Sequence, residues 1–310
     1  MSNTLITYSL FAIVLLFALI FDLGLINKKG KKVSVQMAVW QTILWVSLSL
    51  AFGIWVWFEN GHELAIEYYS AYLMEWSLSV DNIFVFILIF AAFDIGEKHY
   101  GRVLMVGILM AIVLRILFIF AGISLVSRFH WILYMFGAFL VYTGFQMFFS
   151  KEDREFKPDE NRIYRFLKKY FPVSDGMDAE GNFFIRESGK RKLSRLGVVV
   201  TILAGTDVVF AMDSIPAVLA ISQHKLVVYT SNIFAVLGLR SLFFLLQGAV
   251  NRFAYLQQGV SVILVFIGLK MLAELLHLHI PTYISLLVIV CCIGISIGIS
   301  MLVAGRDKQS

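Results

Sequence analysis

The chain has 310 residues, of which 59% are hydrophobic and only 15% are charged. Soluble domains average about 25% charged residues, so this chain lacks the polar side chains needed to cover a water-facing surface of its size. The composition excludes a soluble globular protein, a disordered chain and a secreted disulfide scaffold. The net charge of +5 comes mainly from cations in short segments between apolar runs, which argues against a nucleic-acid partner.

Nine apolar runs follow one another along the chain. They lie near 5–26, 35–58, 69–93, 101–123, 130–149, 195–221, 226–247, 256–277 and 281–304. Each run is long enough for a helix that crosses a bilayer, which takes about 20 residues. The sequence therefore predicts an all-α, polytopic membrane protein with about nine transmembrane helices, which has the lipid bilayer as its surroundings.

The segments that connect these runs alternate in charge. Those on one side, together with the C-terminal tail, contain 21 Lys and Arg residues, whereas those on the other side contain only Arg128 and Lys225. Because cytoplasmic loops are enriched in Lys and Arg, we expect the N-terminus outside and the C-terminus in the cytoplasm. The amphipathic stretch IYRFLKKYF at 163–171 is typical of a helix on the membrane surface. A solvated tether is the alternative interpretation of this connection.

Two sets of three predicted helices carry the same marks in the same order. The marks are an acid, five residues, an acid and a small polar residue (75–82 and 207–214), a Leu-Arg pair (114–115 and 239–240) and a glycine-containing apolar motif (140–147 and 264–271). Because three is an odd number, the two copies cross the membrane in opposite directions. Inverted repeats are typical of secondary transporters, which bind their cargo near the midplane where the repeats meet.

The repeat and the long connection divide the chain into five parts. The first part contains the two peripheral spans that precede the repeat, and the last contains the ninth span and a cytoplasmic tail. Between them, the two three-helix repeats flank a cytoplasmic linker. The predicted parts are 1–68, 69–149, 150–194, 195–277 and 278–310.

Four carboxylates lie inside the third and sixth predicted spans, together with amide and hydroxyl side chains. A carboxylate costs about 2.5–3.5 kcal/mol at the centre of a membrane helix, so four of them indicate a function. Carboxylate, amide and hydroxyl oxygens are ligands of hard divalent cations, and they suit Mn²⁺, Ca²⁺ and Mg²⁺ alike. The candidate metal site consists of Glu75, Asp81, Asn82, Asp207, Asp213, Ser214 and Asn232.

An alternative interpretation pairs these acids with Arg115 and Arg240 as structural ion pairs, which leaves two negative charges unpaired. The spacing adds a further constraint, because acids six residues apart lie about 120° apart around a helix. Either the second acid of each motif faces another helix, or the helix is broken at that point. Pro216 favours a break in the sixth span.

No motif in the sequence indicates an enzyme. GxSxG and HExxH motifs are absent, and the six histidines lie at span ends or in connections, which argues against histidine-ligated metal chemistry inside the membrane. Intramembrane aspartyl proteases also place two aspartates in adjacent spans. However, Gly205-Thr206-Asp207 lacks the Gly-x-Gly-Asp motif of that class.

Two segments resemble the signature motifs of the TerC family of membrane proteins. They are YLMEWSLSVDNIFVF at 72–86 and TDVVFAMDSIPAV at 206–218, and the segments at 130–144 and 230–246 are also similar to that family. The resemblance implies a bacterial inner-membrane protein that functions in Mn²⁺ efflux and metal homeostasis. It also implies that the metal site is formed by Glu75, Asp81, Asn82, Asp207 and Asp213. The family usually has a glutamate where this chain has Ala204.

We therefore expect a transporter that exports Mn²⁺ through a midplane carboxylate site. The choice of Mn²⁺ over Ca²⁺ and Mg²⁺ rests on the family resemblance. The alternative is a membrane scaffold or a metal or pH sensor that does not transport and whose linker at 150–194 binds partners.

Overall fold

The computed structural model describes residues 3–26, 34–149, 158–174, 181–187, 189–247, 255–276, 278 and 280–306, with side chains except at 3–5, 18–26, 81, 160 and 304–306. Helices make up most of these residues. They are α1 (Asn3–Ile26), α2 (Val35–Asn60), α3 (His62–Ala92), α4 (Glu97–Arg128), α5 (Ile132–Phe149), α6 (Arg162–Tyr170), α7 (Arg195–Ile221), α8 (Lys225–Leu246), α9 (Leu256–Ala273) and α10 (Thr282–Arg306). A hairpin of β1 (Phe184–Glu187) and β2 (Lys190–Leu193) lies between α6 and α7.

Eight of the described helices are long and apolar enough to cross a membrane: α2 to α5 and α7 to α10. The first predicted span coincides with α1, in which the described side chains form the apolar run Ile6–Phe17. The structure thus confirms an all-α, multi-pass membrane protein. Helix α3 begins at His62, seven residues before the predicted span, and its first turn contains Glu63.

Polar side chains mark the first residues of several helices. The Ser34 hydroxyl accepts a hydrogen bond from Met37 N at the start of α2, and the Ser194 hydroxyl accepts one from Gly197 N at the start of α7. Such caps satisfy backbone N–H groups that have no partner within the helix. Helix α7 then runs without interruption through Pro216, so the predicted break in this span is wrong. Buried packing of both neighbours of the proline, Ile215 and Ala217, holds the helix together there.

The described part of the linker is folded rather than a solvated tether. The predicted amphipathic stretch forms α6, whose buried residues are Tyr164 and Leu167. The Tyr164 ring packs edge-on against Phe93 at the end of α3, with 5.4 Å between ring centroids. Helix α6 also contacts α7, where Ile163 covers Gly205. The linker therefore docks on the end of α3 and on the N-terminal half of α7, the two helices that carry the candidate acids.

The helices of the two predicted repeats pack in matching pairs. Helix α3 packs against α8 as α4 packs against α7, and α5 crosses α9. The α5–α9 crossing is close, because a Cβ at Gly268 would lie 2.6 Å from Gly137 O, and a Cβ at Gly144 would lie 2.9 Å from Ser261 O. Small residues allow such backbone approach between membrane helices. Exchanging the two sets of helices preserves this pattern, which an inverted repeat requires; the repeat itself stays a prediction.

Replacing Gly268 with alanine should separate α5 from α9, because the new methyl group would meet the Gly137 carbonyl, Val141 N and the branched Val141 side chain. Overpacking of this kind costs about 1–3 kcal/mol. We expect a lower thermal unfolding temperature in detergent. The matched control is Gly294→Ala in α10, where nothing lies within 4 Å of the added carbon. Equal unfolding temperatures for the two variants would contradict the close crossing.

The predicted orientation can be tested with cysteines at two exposed positions, Glu63 in α3 and Asp159 in the linker. In a background with Cys291 and Cys292 replaced by serine, Glu63→Cys should react with a membrane-impermeant thiol reagent on intact cells. Asp159→Cys should react only after lysis, because the cation-rich connections are expected in the cytoplasm. The reverse labelling pattern would overturn the orientation.

Candidate functional site

A buried network of charged and polar side chains is centred on Arg115 of α4. Its Nε and Nη2 atoms donate to the two carboxylate oxygens of Asp207 at 3.3 and 3.2 Å. Its Nη1 atom donates to Asn232 Oδ1 at 3.2 Å and forms an ion pair with Glu75. Each of the four residues is at most 1% exposed. The network therefore joins α3, α4, α7 and α8 through one guanidinium group.

The charges within this network do not balance when both acids are ionised. Glu75 and Asp207 contribute two negative charges, and Arg115 contributes one positive charge. Glu75 Oε2 has no hydrogen-bond partner among the described residues, whereas the Asn232 amide also donates to Val228 O at 3.0 Å. Charged groups removed from water need partners on each of their atoms. This network therefore retains one negative charge and one unsatisfied carboxylate oxygen.

A cavity of about 220 Å³ forms the second polar cluster of the bundle. Its polar lining comes from three helices and combines a carboxylate, two amides and two hydroxyls: Asp213, Asn82, Gln146, Ser214 and Thr143. Ser214 is 2% exposed, and its hydroxyl has no hydrogen-bond partner among the described side chains and backbone groups. One water takes up about 30 Å³ in the liquid, so the cavity has room for a cation with several waters.

The seven predicted site residues thus fall into two clusters rather than one. Three lie in the Arg115 network, three line the cavity, and the Asp81 side chain lies outside the described side chains. Helix geometry explains the division, since residues seven apart share a face and lie roughly 10 Å apart along the axis. On α3 this spacing separates Glu75 from Asn82, and on α7 it separates Asp207 from Ser214.

The sequence interpretation did not include the residues that α5 contributes to the cavity, namely Thr143, Gln146 and Met147. The available signal was a short polar interruption in the apolar run that forms α5. The alternative that paired the acids with arginines matches the structure for Arg115. Among the described side chains, no three His, Cys, Asp or Glu groups lie close enough together to hold a metal ion.

Comparison with known proteins identifies the family of this chain. A family profile described as "Integral membrane protein TerC family" matches residues 60–308, which include both clusters. The chain belongs to the TerC family. No solved structure matches it.

Bacterial relatives of this TerC chain match it over nearly its full length. An uncharacterized membrane protein of Myxococcus xanthus, STKORF319, is 42% identical, and the match covers 92% of this chain and 88% of that protein. A Salmonella typhi protein named "Putative membrane-bound redox modulator Alx" is 41% identical, covering 96% of this chain and 95% of that protein. A membrane protein of Rickettsia bellii is 35% identical, covering 96% and 97%.

Position 204, where the TerC resemblance leads us to expect a glutamate, is buried in this structure. Ala204 lies in α7, three residues before Asp207, and is 3% exposed. Residues three apart lie on neighbouring parts of one helix face. A glutamate here would therefore add a third buried carboxylate to the two of the Arg115 network.

Replacing Ser214 with alanine should have opposite effects with and without metal. An unsatisfied buried hydroxyl costs about 1–3 kcal/mol, so the variant should unfold at the same temperature as the parent, or higher, in metal-free buffer. If the hydroxyl serves as a cation ligand, the stabilisation by MnCl₂ should shrink. Thermal unfolding of the purified variant with and without MnCl₂ measures both effects.

The control for this prediction is Ser241→Ala, because Ser241 is also buried but donates to Gly238 O at 2.9 Å. Its loss should lower stability slightly and leave the metal response unchanged. A Ser214→Ala variant that behaves like this control would remove Ser214 from the site.

Proposed function

We propose that this protein exports Mn²⁺ across the bacterial inner membrane, with its N-terminus outside and its C-terminus in the cytoplasm. The observation that carries the proposal is the cavity between α3, α5 and α7. The Asp213 carboxylate and the Asn82 amide line it, together with the Ser214 hydroxyl, which has no hydrogen-bond partner among the described residues. Ionisable side chains inside membrane helices are costly and mark ion pathways. An unpaired buried hydroxyl supports the same conclusion, because a cation would supply its missing partner.

The two clusters support a stepwise route for the cargo. The cavity has room for a partly hydrated ion, whereas the cavity beside Asp207 measures only about 10 Å³ and is otherwise lined by apolar side chains and a glycine. A cation that passes between the Asp213 cavity and the Glu75–Asp207 pair would therefore exchange water for carboxylate oxygens at the pair. Transfer between sites of similar ligand chemistry keeps each binding step weak enough for release.

The helix pairing supports alternating access to these clusters. In transporters with inverted repeats, the cargo site lies where the repeats meet, and one repeat moves against the other. Helices α3 and α7, which carry the candidate acids, pack against each other, and α5 crosses α9 at reciprocal glycine contacts. The predicted repeat would make these contacts equivalent under a twofold axis. The route then opens alternately to the two sides of the membrane.

The identity of the cargo follows from ligand chemistry and from the family. Oxygen donors suit Mn²⁺, Mg²⁺ and Ca²⁺, and the resemblance to the TerC family favours Mn²⁺ among them. The name of the Alx relatives attributes a redox role to those proteins. In this chain the two cysteines, Cys291 and Cys292, lie together on α10, and neither lines the cavity. Metal transport therefore accounts for the buried acids better than thiol chemistry does.

The decisive experiment is Mn²⁺ flux into proteoliposomes that contain a Mn²⁺-sensitive dye. The parent should carry Mn²⁺ along its gradient, and Asp213→Asn should lose most of this flux because the cavity loses its carboxylate. Asp94→Asn is the matched control, since Asp94 is an exposed acid in the connection between α3 and α4. Binding of Mn²⁺ without flux in the parent would contradict transport and favour the sensor or scaffold alternative.

A further inference from the structure

We propose that Arg115 is a tethered cation that occupies the Glu75–Asp207 pair in the absence of cargo and that a divalent cation must displace. The proposal rests on the proposed function and adds a specificity-determining residue to it. It gives a role to a buried side chain that the metal-ligand set alone leaves unexplained.

The geometry makes binding of Arg115 and binding of a metal at this pair mutually exclusive. The guanidinium engages both carboxylates and the Asn232 amide oxygen, with hydrogen bonds of 3.2–3.3 Å to Asp207 and Asn232. These same oxygens are the ligands that a divalent cation would need at about 2.0–2.6 Å. A metal ion at that distance from the carboxylates would occupy the space of the guanidinium. The cargo and Arg115 therefore compete for one set of acceptors.

Charge explains why a divalent cation can win this competition. With Arg115 in place, the ionised pair keeps one negative charge that no described residue compensates, and Glu75 Oε2 has no hydrogen-bond partner in the described part of the chain. A divalent cation in place of the guanidinium would neutralise both carboxylates. Charge interactions are strong where water is excluded, so this difference favours exchange. A monovalent cation offers no more charge than Arg115, and the pair should therefore reject Na⁺ and K⁺.

Displacement of Arg115 requires the helices around it to move, because the cavity beside Asp207 is too small for a guanidinium group. Ala111 and Gly107 lie four and eight residues before Arg115 and share its face of α4. Together with Asp207 they line the small cavity of about 10 Å³. Two buried carboxylates that face each other without a counter-ion are strongly destabilising. In the absence of cargo, the guanidinium serves as their counter-ion.

The test compares Mn²⁺ binding by the parent and by Arg115→Gln in detergent, using thermal-shift titrations with MnCl₂. We expect the variant to unfold at a lower temperature without metal. Its apparent Kd for Mn²⁺ should fall by about tenfold or more, because the competing cation is gone and the pair carries its full charge. NaCl at matched ionic strength should not reproduce the effect. A merely structural role for Arg115 predicts lower stability with an unchanged Kd, which would overturn the proposal.

Two further comparisons keep the result interpretable. Lys270→Gln removes another buried cation, which donates to Ser285 in the α9–α10 interface, and should leave the Mn²⁺ Kd unchanged. If Arg115→Gln does not fold, Glu75→Gln is compared with the double variant Glu75→Gln/Arg115→Gln. Loss of the arginine should again tighten Mn²⁺ binding in that background, and unchanged or weaker binding would overturn the proposal. A parent that shows no Mn²⁺ response would instead refute the proposed function, and this inference with it.

Discussion

The ion-pair network around Arg115 is the interaction on which the arrangement of the central helices depends. A membrane interior offers no water to solvate charge, so Glu75 and Asp207 must find a cation within the protein. Arg115 supplies it to both acids and also binds Asn232, which joins α3, α4, α7 and α8 at one point. One guanidinium binds both carboxylates and thereby holds the network together. The network nevertheless has one positive charge for two negative charges.

The other helices pack around this network in a membrane, where the hydrophobic effect does not drive helices together. Helices in lipid associate mainly through close packing, and the glycines at the α5–α9 crossing bring two backbones into contact. That crossing places α5 beside the cavity, which its polar residues line together with Asn82 and Ser214. Helix α6 covers Gly205 from the linker side, only two residues before Asp207. The site is thus assembled from the two predicted repeats and bordered by the linker that joins them.

The sequence predicted the helices well because a span of apolar residues has few alternative structures. It also located the buried acids, since polar residues stand out in such spans. It could not place Glu75 and Asn82 in different clusters, because helical spacing reveals a shared face but not what lies opposite. The contribution of Gln146 depends on how α5 crosses the bundle, and the hairpin at 184–193 lies in a polar segment without apolar alternation. Pro216 was misleading because packing of its neighbours preserves the helix.

The central claim is that a divalent cation binds among the buried oxygens of this bundle. It is tested most directly by crystals grown with MnCl₂ and measured at the Mn absorption edge. We predict an anomalous difference peak in the cavity within coordination distance of the Asp213 carboxylate, close to Asn82 and Ser214. Peaks confined to the protein surface or the linker, at Mn²⁺ concentrations that stabilise the protein, would contradict the account.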